Sequence, residues 1–155
     1  MDLNEVYDRL PTERYCSGCH ACAIRCSGDV PAVQAEWERI TEHLRESLAP
    51  VDVLRILTED KRFAVAAGYT IEFCPLYDMK AKACSVYEVR PLVCRMLGFV
   101  EWMPCPIERA LPVVDEAPDL MRAYARLRPK PIPQWLAETP LPARRPAPRS
   151  RFEVA

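Results

Sequence analysis

The sequence predicts a small α+β domain that is mostly helical, cysteine-rich and stabilised by metal, with short strands and a proline-rich C-terminal extension. Eight cysteines stand among only 155 residues. A helical apolar repeat occupies residues 33–48, and eleven of the sixteen prolines come from Pro104 onward. Because single domains usually hold about 100 to 150 residues, we expect a cysteine-cluster metal-binding domain over residues 1–128 and a basic, largely irregular tail over residues 129–155.

Composition and charge exclude several classes of function. The formal net charge is −1, so the chain has no general attraction for nucleic acid. The first residues lack the basic start and apolar run of a secretory signal. No apolar stretch approaches the roughly 20 residues of a membrane-spanning helix. We therefore expect a cytoplasmic protein that binds neither nucleic acid nor membrane.

The middle of the chain predicts helices. Apolar residues at steps of three and four form one helical face that ends before Pro50, and they are Val33, Trp37, Ile40, Leu44 and Leu48. A second helical stretch covers Val51–Leu57. Thr58 then suits the N-cap of a further helical segment, with Gly68 as its stop. A later helix is expected near Asp119–Arg128.

Short strands and one short helix follow this helical region. Tyr69, Ile71 and Phe73 alternate with polar residues, which predicts a strand leading into Cys74. Residues 85–87 are expected to pair with that strand. Pro91 and Gly98 suit the start and stop of a short helical segment that contains Cys94.

The most specific local signal is a compact cysteine spacing near the N-terminus. Cys16, Cys19, Cys22 and Cys26 form C-x2-C-x2-C-x3-C in a loop framed by glycines. Cytosolic thiols are kept reduced, so such clusters bind metal more often than they form disulfides. Bacterial ferredoxins open with this spacing, but Ser27 replaces their proline and no second copy exists, so a ferredoxin fold is not expected.

Four further cysteines are widely spaced: Cys74, Cys84, Cys94 and Cys105. Cys74 and Cys105 each precede proline, the neighbour expected of a remote cluster ligand, and either one suits that role. Zinc also accepts four thiolates, although wide spacing is not typical of a zinc ribbon. The sequence therefore predicts all eight cysteines as metal ligands, with a four-iron four-sulfur cluster as the favoured cofactor and zinc as the alternative.

Cationic side chains near the cysteines could offset the negative charge of a four-thiolate site. These are Arg14, His20, Arg25, Lys80, Lys82, Arg90 and Arg95, and an ordinary surface role is the alternative for about half of them. His20 could ligate metal or donate to a cluster sulfur. His43 is expected on a helix surface, and the methionines are expected to fill the core rather than bind copper.

The segment Cys74-Pro-Leu-Tyr and the segment Cys84-Ser-Val-Tyr-Glu-Val-Arg-Pro-Leu-Val-Cys94-Arg95 resemble the YkgJ-type cysteine-cluster family. This family is described as a zinc- or iron-chelating domain and shares its cysteine block with flagellin lysine N-methylases. The resemblance covers about residues 14–105. The family's N-terminal loop ends in two adjacent cysteines. The second of them would fall at Ala23 here, and Cys26 stands one helical turn further on.

The resemblance implies metal binding, with an iron–sulfur cluster favoured and no assigned reaction. It adds Tyr87, Arg90 and Arg95 to the site, as residues behind the ligands. The leading interpretation is a metal-binding protein, for which electron transfer, another redox role or cluster sensing, with a protein or redox partner, are the candidate roles. The alternatives are a structural zinc module that binds another protein and an accessory part of a protein-lysine methyltransferase. Only four glycines are present, so no glycine-rich loop for S-adenosylmethionine can be drawn.

Overall fold

Helices alternate with short antiparallel strand pairs in the computed structural model, which describes residues 2–10, 15–16, 19, 21–26, 28–66, 68–139 and 141. The helices are α1 Leu3–Arg9, α2 Gln34–Ser47, α3 Pro50–Thr58, α4 Leu92–Arg95, α5 Ala117–Arg126 and α6 Ile132–Glu138. The strands are β1 Pro31–Ala32, β2 Arg62–Ala66, β3 Tyr69–Glu72, β4 Tyr77–Asp78, β5 Ala83–Cys84 and β6 Lys130–Pro131. Two 3₁₀ helices span Ala21–Arg25 and Tyr87–Val89. The predicted α+β class is confirmed.

Helices α2 and α3 occupy the segments that the apolar pattern predicted. Trp37, Ile40 and Leu44 on α2 are buried, as the repeat requires. The Glu36 carboxylate accepts from the Val33 N–H at 3.0 Å, which closes the helix start. Pro50 stands in the first turn of α3, where its missing N–H costs nothing.

The predicted helical segment between Thr58 and Gly68 is wrong. Strand β2 occupies it and pairs antiparallel with β3, with Phe63 opposite Ile71. Gly68 has φ +83° and serves the turn of this hairpin rather than a helix stop. The Asp60 side chain accepts from the Arg62 N–H at 3.0 Å, which fixes a turn before the strand. Ladder pairing with the next strand thus overrides the local capping signal.

The predicted strand at residues 69–73 is confirmed over Tyr69–Glu72, but its expected partner is wrong. Residues 87–89 form a 3₁₀ helix, and β5 pairs instead with β4, with Tyr77 opposite Cys84. The Asp78 carboxylate shapes the intervening turn by accepting from the N–H groups of Lys80 and Ala81 at 2.9 Å. This tight hairpin brings Cys84 back beside the segment that holds Cys74.

Two hydrophobic clusters divide the core. The first joins α1, α4 and α5 through residues that include Val6, Leu92 and Tyr124. The second joins α2, the β4–β5 hairpin and α6, and it includes Trp37, Leu76 and Cys74. One cysteine-bearing hairpin is therefore part of a core rather than a surface appendage.

The expected irregular tail is wrong for residues 130–138. Strand β6 pairs with β1, and Ile132 and Trp135 on α6 are buried in the second cluster. Trp135 Nε1 donates to the Ala32 carbonyl at 2.7 Å. Pro131 stands at the N-cap and Pro133 in the first turn of α6, positions that tolerate proline. The arginine-rich end beyond Leu141 lies outside the described residues.

Among the residues that the structure describes, no helix combines the length and apolarity needed to cross a membrane.

Candidate metal centre

All eight cysteines fall within the described residues, and all eight are free thiols. The disulfide framework, the minor interpretation of the sequence, is therefore absent from this structure. Their mutual electrostatic influence divides them into two groups of four, which we call the outer and the inner group.

The outer group consists of Cys16, Cys19, Cys22 and Cys105. Burial raises the pKa of Cys16, and the nearby charges of Cys19 and Cys105 raise it further. Burial also raises the pKa of Cys22 to about 11, and the charges of Cys16, Cys19 and Cys105 contribute to that rise. A turn in which the Cys19 N–H donates to the Cys16 carbonyl at 3.0 Å brings the first two thiols together. The outer group thus joins the N-terminal loop to a residue some eighty positions away.

Cys105 reaches this loop because the chain folds tightly after α4. The Gly98 N–H donates to the Met103 carbonyl at 2.7 Å, and Gly98 has φ +93°. A Cβ atom at Gly98 would lie 3.5 Å from the Cys105 Cβ and 2.7 Å from Leu111 Cδ1. Glycine is needed here both for its backbone conformation and for its missing side chain.

The inner group consists of Cys26, Cys74, Cys84 and Cys94. The Cys74 thiol donates a hydrogen bond that lowers the pKa of Cys26, while the same bond raises the pKa of Cys74. Burial raises the pKa of Cys94 well above its usual range, and the charges of Cys26 and Cys84 add to this. Desolvation is the dominant cause, since low-dielectric surroundings disfavour the charged thiolate.

Backbone N–H groups point at the inner sulfurs. The Leu76 N–H donates to Cys74 and the Val86 N–H donates to Cys84, each from two residues further along the chain. The Cys74 N–H donates to Cys26. Hydrogen bonds to a sulfur favour its thiolate form, the form that binds metal. The inner group therefore has the donors that a thiolate site needs.

A cavity of about 230 Å³ lies between the two groups. Cys22 from the outer group and Cys26, Cys84 and Cys94 from the inner group line it. These inner cysteines are only half-buried because they face the cavity, whereas Cys74 behind them is 3 % exposed. Apolar walls from Val30, Val93 and Leu97 complete it.

Tyr87 and Arg90, two of the residues that the resemblance implies behind the ligands, stand where the two groups meet. The Tyr87 hydroxyl donates to the Cys16 carbonyl at 2.6 Å, which ties the outer loop to the 3₁₀ helix. The Arg90 guanidinium lies over the Tyr87 ring at 3.8 Å from its centroid. Both residues also line the cavity.

Arg95 makes a different set of contacts. Its Nε donates to the Arg90 carbonyl at 3.0 Å, its Nη2 donates to the Glu88 carbonyl, and its guanidinium lies 4.5 Å from the Tyr7 ring centroid. These bonds hold the turn that carries Tyr87 and Arg90. Arg95 thus supports the site through the backbone.

Of the other predicted cations, Arg25 lines the cavity, while Lys80 and Lys82 lie exposed in the β4–β5 turn. Arg14 and His20 lie outside the described residues. His43 lies on α2 and its Nδ1 is 3.3 Å from the Ser47 hydroxyl, as expected of a helix-surface residue.

Glu36 is a buried carboxylate that the sequence interpretation missed. It is 1 % exposed and accepts from the Leu92 N–H at 2.7 Å and from the Tyr124 hydroxyl at 2.5 Å. Tyr7 also donates to it, and burial followed by the Glu36 charge raises the pKa of both tyrosines. Through Leu92 the carboxylate fixes the helix of Cys94. A glutamate three residues after the helix start was the available signal.

The thiols fit a metal group by number and chemistry, but they are not gathered around one ion. Zinc–sulfur bonds of about 2.3 Å in a tetrahedron place sulfurs roughly 3.8 Å apart. Among the described residues, no three histidine, cysteine, aspartate or glutamate side chains are arranged to hold a metal ion. The chain thus presents two sets of four free thiols, and backbone N–H groups donate to sulfurs of the inner set.

A family model named CxxCxxCC, described as a "putative zinc- or iron-chelating domain", matches residues 15–116. That range contains all eight cysteines and the whole of both groups. Comparison with curated proteins and with solved structures gives no match. The resemblance to the YkgJ-type cluster is thereby confirmed, and the chain belongs to the CxxCxxCC family of zinc- or iron-chelating domains.

Proposed function

We propose that this chain is an electron-transfer protein that holds two iron–sulfur clusters, one in each group of cysteines. The observation that supports this most directly is the division of eight free thiols into two sets of four. Four thiolates are the usual ligand set of a four-iron four-sulfur cluster. Such a cluster, when bound, takes up and releases single electrons.

A cluster suits this arrangement better than a single zinc ion in each group. A four-iron core is wider than one ion, so its thiolates stand further apart than the four around zinc. The cavity that Cys22, Cys26, Cys84 and Cys94 line measures about 230 Å³, far more than a zinc ion fills. This size favours a polynuclear centre.

The residues around each group have distinct roles in this proposal. The eight cysteines supply the thiolates. Backbone N–H groups of Leu76 and Val86 stabilise the sulfurs of Cys74 and Cys84. Tyr87 holds the outer loop against the inner hairpin through the Cys16 carbonyl. The proposed partner is a redox protein that reaches the centre on the N-terminal loop.

Anaerobic purification followed by iron, sulfide and zinc analysis tests the proposal. We expect about eight iron and eight sulfide per chain and a brown protein whose absorbance bleaches with dithionite. About four iron per chain would contradict the two-centre arrangement. A colourless protein with about two zinc per chain would overturn the cluster and favour the structural zinc module.

A further inference from the structure

Arg90 lies between the two groups of cysteines. It is 8 % exposed and lines the same cavity as Cys22, Cys84 and Cys94. Within the part of the chain that the structure describes, its buried Nε has no hydrogen-bond partner. A buried charge without full pairing is costly, so its retention points to a negative group that it faces.

The remaining contacts of Arg90 hold it in place without neutralising it. Its Nη1 reaches the Tyr87 carbonyl at 3.5 Å, and its guanidinium lies on the face of the Tyr87 ring. Neither partner carries a negative charge. The backbone of Arg90 is in turn fixed by Arg95, which donates to its carbonyl.

The charge of Arg90 lies beside sulfurs of both groups. Cys22 of the outer group and Cys84 and Cys94 of the inner group line the same cavity as Arg90. The Tyr87 ring under the guanidinium carries a hydroxyl that donates to the Cys16 carbonyl at 2.6 Å, so Arg90 also borders the outer loop. Arg109, by contrast, does not line this cavity, and its Nη1 donates to the Tyr15 carbonyl of the outer loop at 2.8 Å.

We infer that Arg90 is a shared counter-cation whose charge raises the reduction potential of both centres together. This inference rests on the proposed function. Each centre accepts one electron from an external one-electron donor and gains one negative charge, while no bond to Arg90 forms or breaks. A fixed positive charge nearby stabilises the reduced form. One guanidinium between the two groups would therefore raise the reduction potentials of both centres.

The test is a redox titration of the anaerobically purified holoprotein with dithionite, followed by electron paramagnetic resonance. In Arg90→Gln we expect each centre to become harder to reduce by about tenfold, which is about 59 mV for one electron. In Arg109→Gln we expect the outer centre to shift and the inner centre to keep its potential.

Arg90→Met removes the charge but keeps an unbranched apolar side chain, so it covers the case in which Arg90→Gln does not retain its clusters, and we expect the same fall of both potentials. Arg90→Lys keeps the charge but not the planar contact with Tyr87, so both potentials should stay closer to those of the unsubstituted protein. Unchanged potentials, or a shift at one centre only, in a charge-removing variant that retains its clusters would overturn the inference while leaving the iron content intact. A protein without iron would instead refute the proposed function.

Discussion

The inner and outer cysteine groups differ in how the chain holds them. Three of the four inner cysteines belong to the second core cluster, since Cys74 is buried in it and Cys26 and Cys84 pack against it. The outer group belongs to neither core cluster, although Cys22 lies in a 3₁₀ helix, and it is held through contacts such as that of Tyr87 with the Cys16 carbonyl. A metal centre held by the inner group would therefore stabilise the fold, whereas one held by the outer group would depend on a fold that is already formed.

Removing one ligand from each group gives the largest expected contrast. Cys94→Ser and Cys19→Ser should each lose about half of the bound iron. Because metal binding at a core site is coupled to folding, Cys94→Ser should also lose about 5 kcal/mol or more of stability, or roughly 10–20 °C in Tm. Cys19→Ser should lose much less. Calorimetry with iron analysis measures both, and equal losses of stability would contradict the comparison.

Glu36→Gln tests the support of the inner group without touching a ligand. The amide loses an acceptor for the Leu92 N–H or the Tyr124 hydroxyl, and a buried donor is left without a partner. We expect a loss of about 2–3 kcal/mol in urea unfolding. Glu38→Gln, on the same helix but exposed, is the matched control and should be nearly neutral. If both variants lose the same stability, the Glu36 contacts are not a support of the inner group.

Metal-free protein should lose stability at alkaline pH. Burial raises the pKa of Cys84 from 9.0 to about 11, so between these values the unfolded thiol ionises while the folded thiol keeps its proton. Unfolding then releases protons, and stability falls as pH rises through this window by up to about 2 kcal/mol. Denaturant unfolding at pH 8 and pH 11 measures this effect.

The controls for this pH dependence are the holoprotein and metal-free Cys84→Ala. Metal-bound sulfurs are already thiolates, so Cys84 should not contribute to any loss of stability of the holoprotein at alkaline pH. Metal-free Cys84→Ala should show a smaller loss than the unsubstituted metal-free chain. An identical pH profile for the metal-free chain and this variant would show that Cys84 is not the group responsible.

Gly98→Ala should produce a smaller effect, confined to the outer group. The added methyl would meet Leu111 Cδ1 at 2.7 Å in a backbone conformation that alanine disfavours. We expect a cost of about 1–2 kcal/mol and a changed signal from the outer centre, next to Cys105. Gly28→Ala is the control, since no atom lies within 4 Å of its Cβ position. A change at the inner centre alone would contradict this assignment.

Periodicity predicted the parts of the fold that depend on local pattern. Helices α2, α3 and α5 and strand β3 stand close to where the apolar spacing placed them. The helix predicted over residues 59–67 is wrong because residues 62–66 pair with a neighbouring strand across Gly68. The irregular tail is wrong for residues 130–138 because burial of Ile132 and Trp135 outweighs a proline-rich composition.

The sequence by itself determined the chemistry: eight cysteines, their spacing, and an arginine at position 90 in a motif of one family. It did not determine which thiols share a site, since the N-terminal run reads as one unit. Only the tertiary structure separates Cys26 from its three neighbours and places it beside Cys74. The reason is physical, because sulfur neighbours are set by the hairpins and helices that converge in space, and chain distance says little about that convergence.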